Sequence, residues 1–542
     1  MAKKNFFKKI LVTSSIFLTI SSNAFASDKP ENVQLAQKQE VTLGMGSESN
    51  SYDPNLCSTH ECTIVLVNLF ETLTQIGKDG KPEPAAAKSW DISSDHKVYT
   101  FHIRKDANWS DGKPVTAEDF VYSWQRLVAP QTSSEYSYFL GLGNVLNADD
   151  IMNGKKKPSE LGVKALDQKT FQVTLSKPTP FFISMTSQIN LAPLPKEIVE
   201  KFKSKWVKAQ NIVSNGAYTL SEHVLNEKFV LKKNPKYWDS KNVHITKATF
   251  LPLVESSEYK LYAADNLDMT YTVPVDLISK IKQEYNDQFR ATPGLKVTYF
   301  GINVKKPALD KVDVRKAITI AINRDAIAKQ LLNGAALPAY SLVPNNVDNY
   351  KPFKPDYASW SQEKRIQVAN ELLKKAGYNQ QNPATINLLY NTADVNQKLA
   401  VAIQAMLQQS LPVKVKLDQM EWKSMLAQRS QRDYGLLRMT WIGDFNDPST
   451  FLANWTTGNA QNDAQWSNKD YDNLFAKSFE TEDQEKRKDL FYKMSELIAK
   501  DVPAMPVFYG LNTHLIKPDL KGVMSNPLDI YYVKDMYKVK TN

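Results

Sequence analysis

The chain runs to 542 residues with a formal net charge of +10, and charges of both signs are interspersed, which leaves no clustered basic face of the kind nucleic acid requires. Its length suits two or three domains, and 24 tyrosines, 23 phenylalanines and 10 tryptophans supply core and pocket walls alike. No G-x-S-x-G, H-E-x-x-H or phosphate loop occurs. Gly44-Met45-Gly46 and Gly141-Leu142-Gly143 lack the glycines that complete a dinucleotide fingerprint, and the six histidines are scattered, so catalysis is not supported.

The N-terminus reads as an export signal. Lys3, Lys4, Lys8 and Lys9 form a basic region, Ile10 to Ile20 an apolar core and Ala24-Phe25-Ala26 a cleavage site, so residues 1–26 are expected to be removed and the mature chain to begin at Ser27. Cleavage takes away four lysines and no acids, which lowers the net charge from +10 to +6. The apolar core is too short to span a bilayer, and no later stretch reaches about 18 uninterrupted apolar residues. No cysteine stands behind the cleavage site to carry a lipid, so the expectation is a released periplasmic protein without direct membrane insertion. The only cysteines, Cys57 and Cys62, lie in Cys-Ser-Thr-His-Glu-Cys. In an oxidising compartment such a pair most often forms a disulfide; a metal held by Cys57, His60 and Cys62 is the sharper alternative, although C-x4-C lacks a second ligand pair.

Along the chain, a short strand at Val41–Met45 leads to the turn Ser51-Tyr52-Asp53-Pro54, and a helix follows through Ile64, Leu66 and Phe70. Gly77 to Pro82 reads as a hairpin turn. Val98 to Arg104 alternates as a strand, Asp111-Gly112 turns, and Thr116 with Asp119 resembles a capping box that starts a helix whose inward stripe is Phe120, Val121 and Trp124. Strands are read at Lys169–Leu175, Phe229–Leu231, Ala248–Leu253 and Thr298–Val304. Helices are read at Leu261–Leu267, from an Asp313 cap to about Ile322, from Ser361 to Gly377, over Gln397–Gln409, and from a Thr481/Gln484 capping box onward. Thr385–Tyr390 and Val413–Leu417 are further strands. Strand and helix alternate throughout, as in α/β domains.

The densest motif is Trp109-Ser110-Asp111-Gly112-Lys113-Pro114-Val115-Thr116-Ala117-Glu118-Asp119-Phe120 with its continuation to Arg126. It resembles the extracellular solute-binding proteins of peptide ABC transporters, and Asn215-Gly216-Ala217-Tyr218, Asn234-Pro235-Lys236-Tyr237-Trp238, Asp313-Val314-Arg315-Lys316-Ala317, Ala376-Gly377-Tyr378 and Trp441 to Pro448 continue the resemblance in the family's order. The resemblance implies a two-lobed periplasmic binding fold of α/β class, with an extra inserted domain and the ligand enclosed between the lobes. Residues 27–70, 195–295 and 512–542 would build the first lobe, 71–194 the inserted domain and 296–511 the second lobe, with crossings near 296 and 511 as the hinge. It also implies a monomer without cofactor, an oligopeptide ligand and an inner-membrane ABC permease as partner.

A receptor for peptides of varied sequence must read the backbone by strand addition, clamp the charged ends and leave roomy side-chain pockets. By the resemblance, Asp444, next to Gly443 at the end of an apolar strand, receives the peptide amine. On bare sequence it is a turn aspartate before Pro448. Arg438, six residues earlier and on the same side by period-two alternation, matches an arginine near the ligand carboxylate; its bland alternative is a structural ion pair. Trp441, Trp422 and Tyr122 match aromatic pocket walls, although bare tryptophans are more often core. Three places depart from the pattern. Asn396 stands where a histidine is expected, Leu332 where a lysine is expected, and Ser58 and His60 replace acidic and apolar residues at the peptide's start. Two cationic contacts to carboxylates are thereby lost. Haem or a cell-wall (murein) peptide is therefore the alternative ligand; an exported peptidase or a chaperone is the reading from other classes.

Overall fold

The computed structural model describes residues 33–49, 51–459, 461–481 and 483–540, so the expected export signal at 1–26 and its cleavage site lie outside the described residues. The alternating segments are realised mainly as three sheets. In the first, Glu40–Gly44 runs parallel to Lys247–Leu251, followed by Lys228–Lys233 and Tyr218–Val224. Val41, Leu43, Ala248, Phe250 and Leu231 are buried on it. The second is antiparallel, in the order Ala87–Ile92, Val98–Ile103, Thr170–Thr174, Val163–Asp167. The helix Ala117–Val128 lays Phe120 and Trp124 onto Phe171 of this sheet, at ring separations of 5.6 and 5.1 Å. Asp119 accepts from the Thr116 N–H at 2.8 Å, so this helix start forms as its sequence reads. The chain's last segment returns to its N-terminal part: Val533 N–H donates to Asn68 of the helix His60–Leu69 at 2.7 Å, and Leu35 bridges to Val539.

The third sheet has six strands in the order Ala336–Pro338, Ala504–Leu515, Phe289–Ile302, Leu436–Ile442, Ala384–Asn391, Val413–Met420. Period-two alternation divides its residues between two cores. Phe300, Leu388 and Leu436 pack against Ile318 of the helix Val312–Ala321 and Ile403 of the helix Asp394–Ser410. Tyr299, Leu437 and Met439 pack against Phe491, Met494 and Ile498 of the helix Gln484–Asp501. With helices on both faces, the α/β class holds.

The two longest strands, Phe289–Ile302 and Ala504–Leu515, pair with one another from Phe289↔Leu515 to Gly301↔Ala504. Their register breaks between Pro293↔Leu511 and Val297↔Tyr509, where residues 294–296 oppose Gly510 alone. Such a bulge bends a ribbon locally. It falls beside the crossings between lobes that the resemblance implies, near residues 296 and 511.

Three local expectations change. Asp313 is inside the first turn of its helix rather than capping it, and its carboxylate pairs with Lys375 at 3.0 Å. Asp483, not Thr481, caps the helix from Gln484, accepting from the N–H groups of Glu485 and Lys486; a carboxylate is an equally good cap and stands one residue before the helix. The helix read at Leu261–Leu267 lies earlier, at Glu255–Ala263, and stops before Asp265, whose φ of +59° no helix accommodates.

Candidate functional site

Leu436–Ile442 is the strand from which the site grows. Gly443 N–H donates to the Leu295 carbonyl at 2.8 Å, and backbone groups alternate between edges in an antiparallel pair, so Arg438, Thr440 and Ile442 turn their N–H and C=O groups to the other edge. There the parallel neighbour Ala384–Asn391 pairs only with Leu436 and Leu437. Beyond Leu437 that edge carries no ladder partner among the described residues. An extended ligand can add to it as a further strand.

Asp444 terminates this open edge. Its backbone N–H is fixed to Thr450 Oγ1 at 3.1 Å, and the residues after it are locked in place. Phe445 stacks on Phe181 at 4.9 Å, and Asp447 accepts from Arg487 at 2.5 and 2.9 Å. The carboxylate itself accepts from the Tyr136 hydroxyl at 2.9 Å and from that of Tyr138 at 3.5 Å. Among the described residues no cation pairs with it. Burial therefore wins over the two hydroxyls and lifts its pKa from the usual 3.8 to about 6. A desolvated carboxylate with two donors and no counter-ion is chemically prepared to accept an ammonium group.

Arg438 is the complementary case. It is half-buried, its Nε has no hydrogen-bond partner, and no carboxylate pairs with it among the described residues. Burial lowers its pKa to about 10. The structural ion pair is thus not what holds this arginine in mid-strand. Asp444 and Arg438 are separated by at most about 20 Å of extended chain, the length of a short peptide, and among the described residues each lacks a partner of opposite charge.

The other expected residues are distributed unequally. Trp441 is half-buried beside Met439, with its indole N–H unpartnered, and Gly443 passes so close to Phe451 that a Cβ would lie 3.1 Å from its ring. Trp422 begins the helix Trp422–Ser430 and is 45% exposed. Ser58 is exposed in its loop, and Cys57 and Cys62 are joined in a disulfide, which leaves no thiolate for the alternative metal site. His60, within the same disulfide-closed loop and first in the helix His60–Leu69, is 3.1 Å from the Tyr271 hydroxyl and 3.3 Å from the Leu528 carbonyl. Asn396 is buried and donates to the Asn391 side chain at 2.9 Å, and Leu332 is buried in the sheet's helix-covered core. Tyr122 is not brought to Asp444: its ring faces Lys196, 5.8 Å away. The tyrosines that do reach Asp444 are Tyr136 and Tyr138, and nothing in Glu135-Tyr136-Ser137-Tyr138-Phe139 links them in sequence to a residue some 300 positions later.

A cavity of about 230 Å³ adjoins the strand end. Ile442, Leu295 and Lys296 line it from the six-stranded sheet, Asn512 from the long ribbon, His60 from the helix His60–Leu69 and Asp529 from the chain's last segment. A second, apolar cavity of about 290 Å³ lies between Tyr340, Trp360 and Ile498 and shares no lining residue with the first.

Residues 81–463 match the family model of bacterial extracellular solute-binding proteins, family 5 Middle. The chain is 41% identical to the periplasmic oligopeptide-binding protein OppA of Salmonella typhimurium, over 99% of both chains. Its structure superposes on the murein tripeptide binding protein MppA of Escherichia coli with a TM-score of 0.86 and 36% identity, covering 94% of this chain and 100% of that one. For Haemophilus influenzae OppA in complex with RPPGFSPFR the TM-score is 0.84 and the identity 37%, at the same coverage.

Proposed function

The chain belongs to the bacterial extracellular solute-binding proteins of family 5, and we propose that it is the substrate-binding component of a peptide ABC importer, capturing oligopeptides with little sequence preference and handing them to a membrane permease. Like its family it binds its ligand and performs no chemistry on it. The observation that carries the peptide reading is Asp444: a fixed, desolvated carboxylate with two tyrosine donors and no counter-ion among the described residues, at the end of an open strand edge. Asp444 takes the peptide amine, the edge from Arg438 to Ile442 pairs with the peptide backbone, and Arg438 answers its carboxylate. Trp441 and Trp422 offer flat walls for varied side chains.

The lobes are residues 27–70, 195–295 and 512–542 on one side and 296–511 on the other, with 71–194 inserted. The separate sheets and the bulge at 294–296 support this division. The protein acts as a monomer in the periplasm after removal of residues 1–26, a location supported by its periplasmic relatives. Among the described residues no helix is long and apolar enough to cross a membrane.

The test is calorimetric titration with a tripeptide and its N-acetylated form. The free amine should bind at least about a hundredfold more tightly, as expected when one partner of a desolvated charge pair is removed. Equal binding of the two forms refutes the amine clamp.

A further inference from the structure

The cavity beside Ile442 contains groups that an amine clamp does not use. Lys296 leaves the bulge of the long ribbon, and its stem passes over Gly510, where a Cβ would lie 2.7 Å from Lys296 Cε. A side chain at 510 would close that path. Lys296 lines the cavity, and no hydrogen bond or ion pair holds its amine among the described residues. Asn512, 3% exposed, lines the same cavity with its amide Nδ2 unpartnered. The carboxylate of the cavity wall, Asp529, is already bound to His514 at 2.8 Å, and both ring nitrogens of His60 are engaged. Burial disfavours the charged form of Lys296, with Asp529 offsetting part of that cost. An ammonium group and an amide donor, both enclosed and unpartnered, recover free energy by binding an anion.

The geometry points to a carboxylate subsite made by Lys296 and Asn512, which takes a carboxylate borne on the first or second residue of a ligand whose amine sits on Asp444. Ile442 lines the cavity and precedes Asp444 by two residues, about 7 Å of strand, so only the start of the ligand reaches it. The inference rests on the peptide-binding reading. It also supplies a cationic contact in a site where Asn396 and Leu332 have removed two. The carboxylate has two sources: an acidic side chain, or the C-terminus of a dipeptide.

Calorimetry on the full mature chain distinguishes them, with Ala-Ala-Ala, the pairs Glu-Ala-Ala/Gln-Ala-Ala and Ala-Glu-Ala/Ala-Gln-Ala, and Ala-Ala, each as free acid and C-terminal amide. A glutamate at one of the two positions should bind about tenfold tighter than glutamine and keep that advantage on amidation. If the advantage is confined to Ala-Ala and lost in its amide, the subsite reads a dipeptide's C-terminus. Lys296→Met should bring the acid-to-neutral ratio to about one, and Lys296→Arg should preserve it. Equal binding of glutamate and glutamine together with indifference of Ala-Ala to amidation overturns the subsite. So does a Lys296→Met variant that weakens every ligand without changing the ratio, since that marks a purely structural lysine at the bulge. Failure of Ala-Ala-Ala itself to bind overturns the peptide reading instead.

Discussion

Replacing Asp444 by asparagine should separate binding from stability in opposite directions. The carboxyl has a folded pKa of about 6 against a usual 3.8. Between about pH 4 and about pH 6 the folded chain therefore holds a proton that the unfolded chain has released, and stability falls as pH rises through that window. Fully ionised, the group costs the ligand-free fold about 3 kcal/mol. Asparagine keeps an acceptor for the Tyr136 hydroxyl and removes the charge, so ligand-free Asp444→Asn should melt higher than the unaltered chain at pH 7, and the two should converge near pH 4. Peptide binding should move the other way, because an ammonium ligand needs the ionised carboxylate. The variant should lose about 3 kcal/mol, roughly 150-fold in Kd, and the unaltered chain should bind more weakly as pH drops below about 6. Differential scanning calorimetry with and without a tripeptide measures both effects. A variant that melts lower at pH 7 would show that Asp444 is a structural acceptor, and the reasoning from its missing counter-ion would fail.

Arg438→Leu exchanges an unpartnered guanidinium for apolar volume, so melting should stay level or rise while affinity for a free-acid tripeptide drops about thirtyfold and that for its amide changes little; clear destabilisation would instead reveal a structural arginine. Arg487→Leu strands the buried Asp447 and should cost about 3–5 kcal/mol in urea unfolding. Cys57→Ser/Cys62→Ser removes a short disulfide ring; the expected loss is about 2 kcal/mol, and the melting temperature of the double variant should no longer respond to reductant, whereas that of the unaltered chain should.

The sequence made legible what depends on local pattern. Period-two alternation at Val98–Arg104 and Thr385–Tyr390, and the Thr116/Asp119 helix start, appear as read. Asp444 was found because its neighbours, from Trp441 to Pro448, form a recognisable string. What depends on topology was hidden. Tyr136 and Tyr138 become partners of Asp444 only when residues 306 to 308 positions apart are folded together. In the sequence, residue 296 stood only as an expected crossing between lobes, and the enclosure of Lys296 follows from Gly510, more than two hundred residues away. Nor could hydrophobic pattern reveal that the strand at 384–391 abandons its neighbour after Leu437, since the side-chain alternation of a paired edge and an open one is the same.

That abandoned edge has a further consequence. Unsatisfied strand edges are where proteins aggregate, and soluble proteins usually blunt them with charge, proline or a covering loop. Here the edge beyond Leu437 is instead closed at one end by Asp444 and the two tyrosines that belong to another part of the chain. A folded protein cannot bring its own strand into such a slot, whereas a loose chain end can. On the peptide-binding reading, selection by slackness of the chain, rather than by its sequence, would let the molecule keep a sticky edge without assembling with itself.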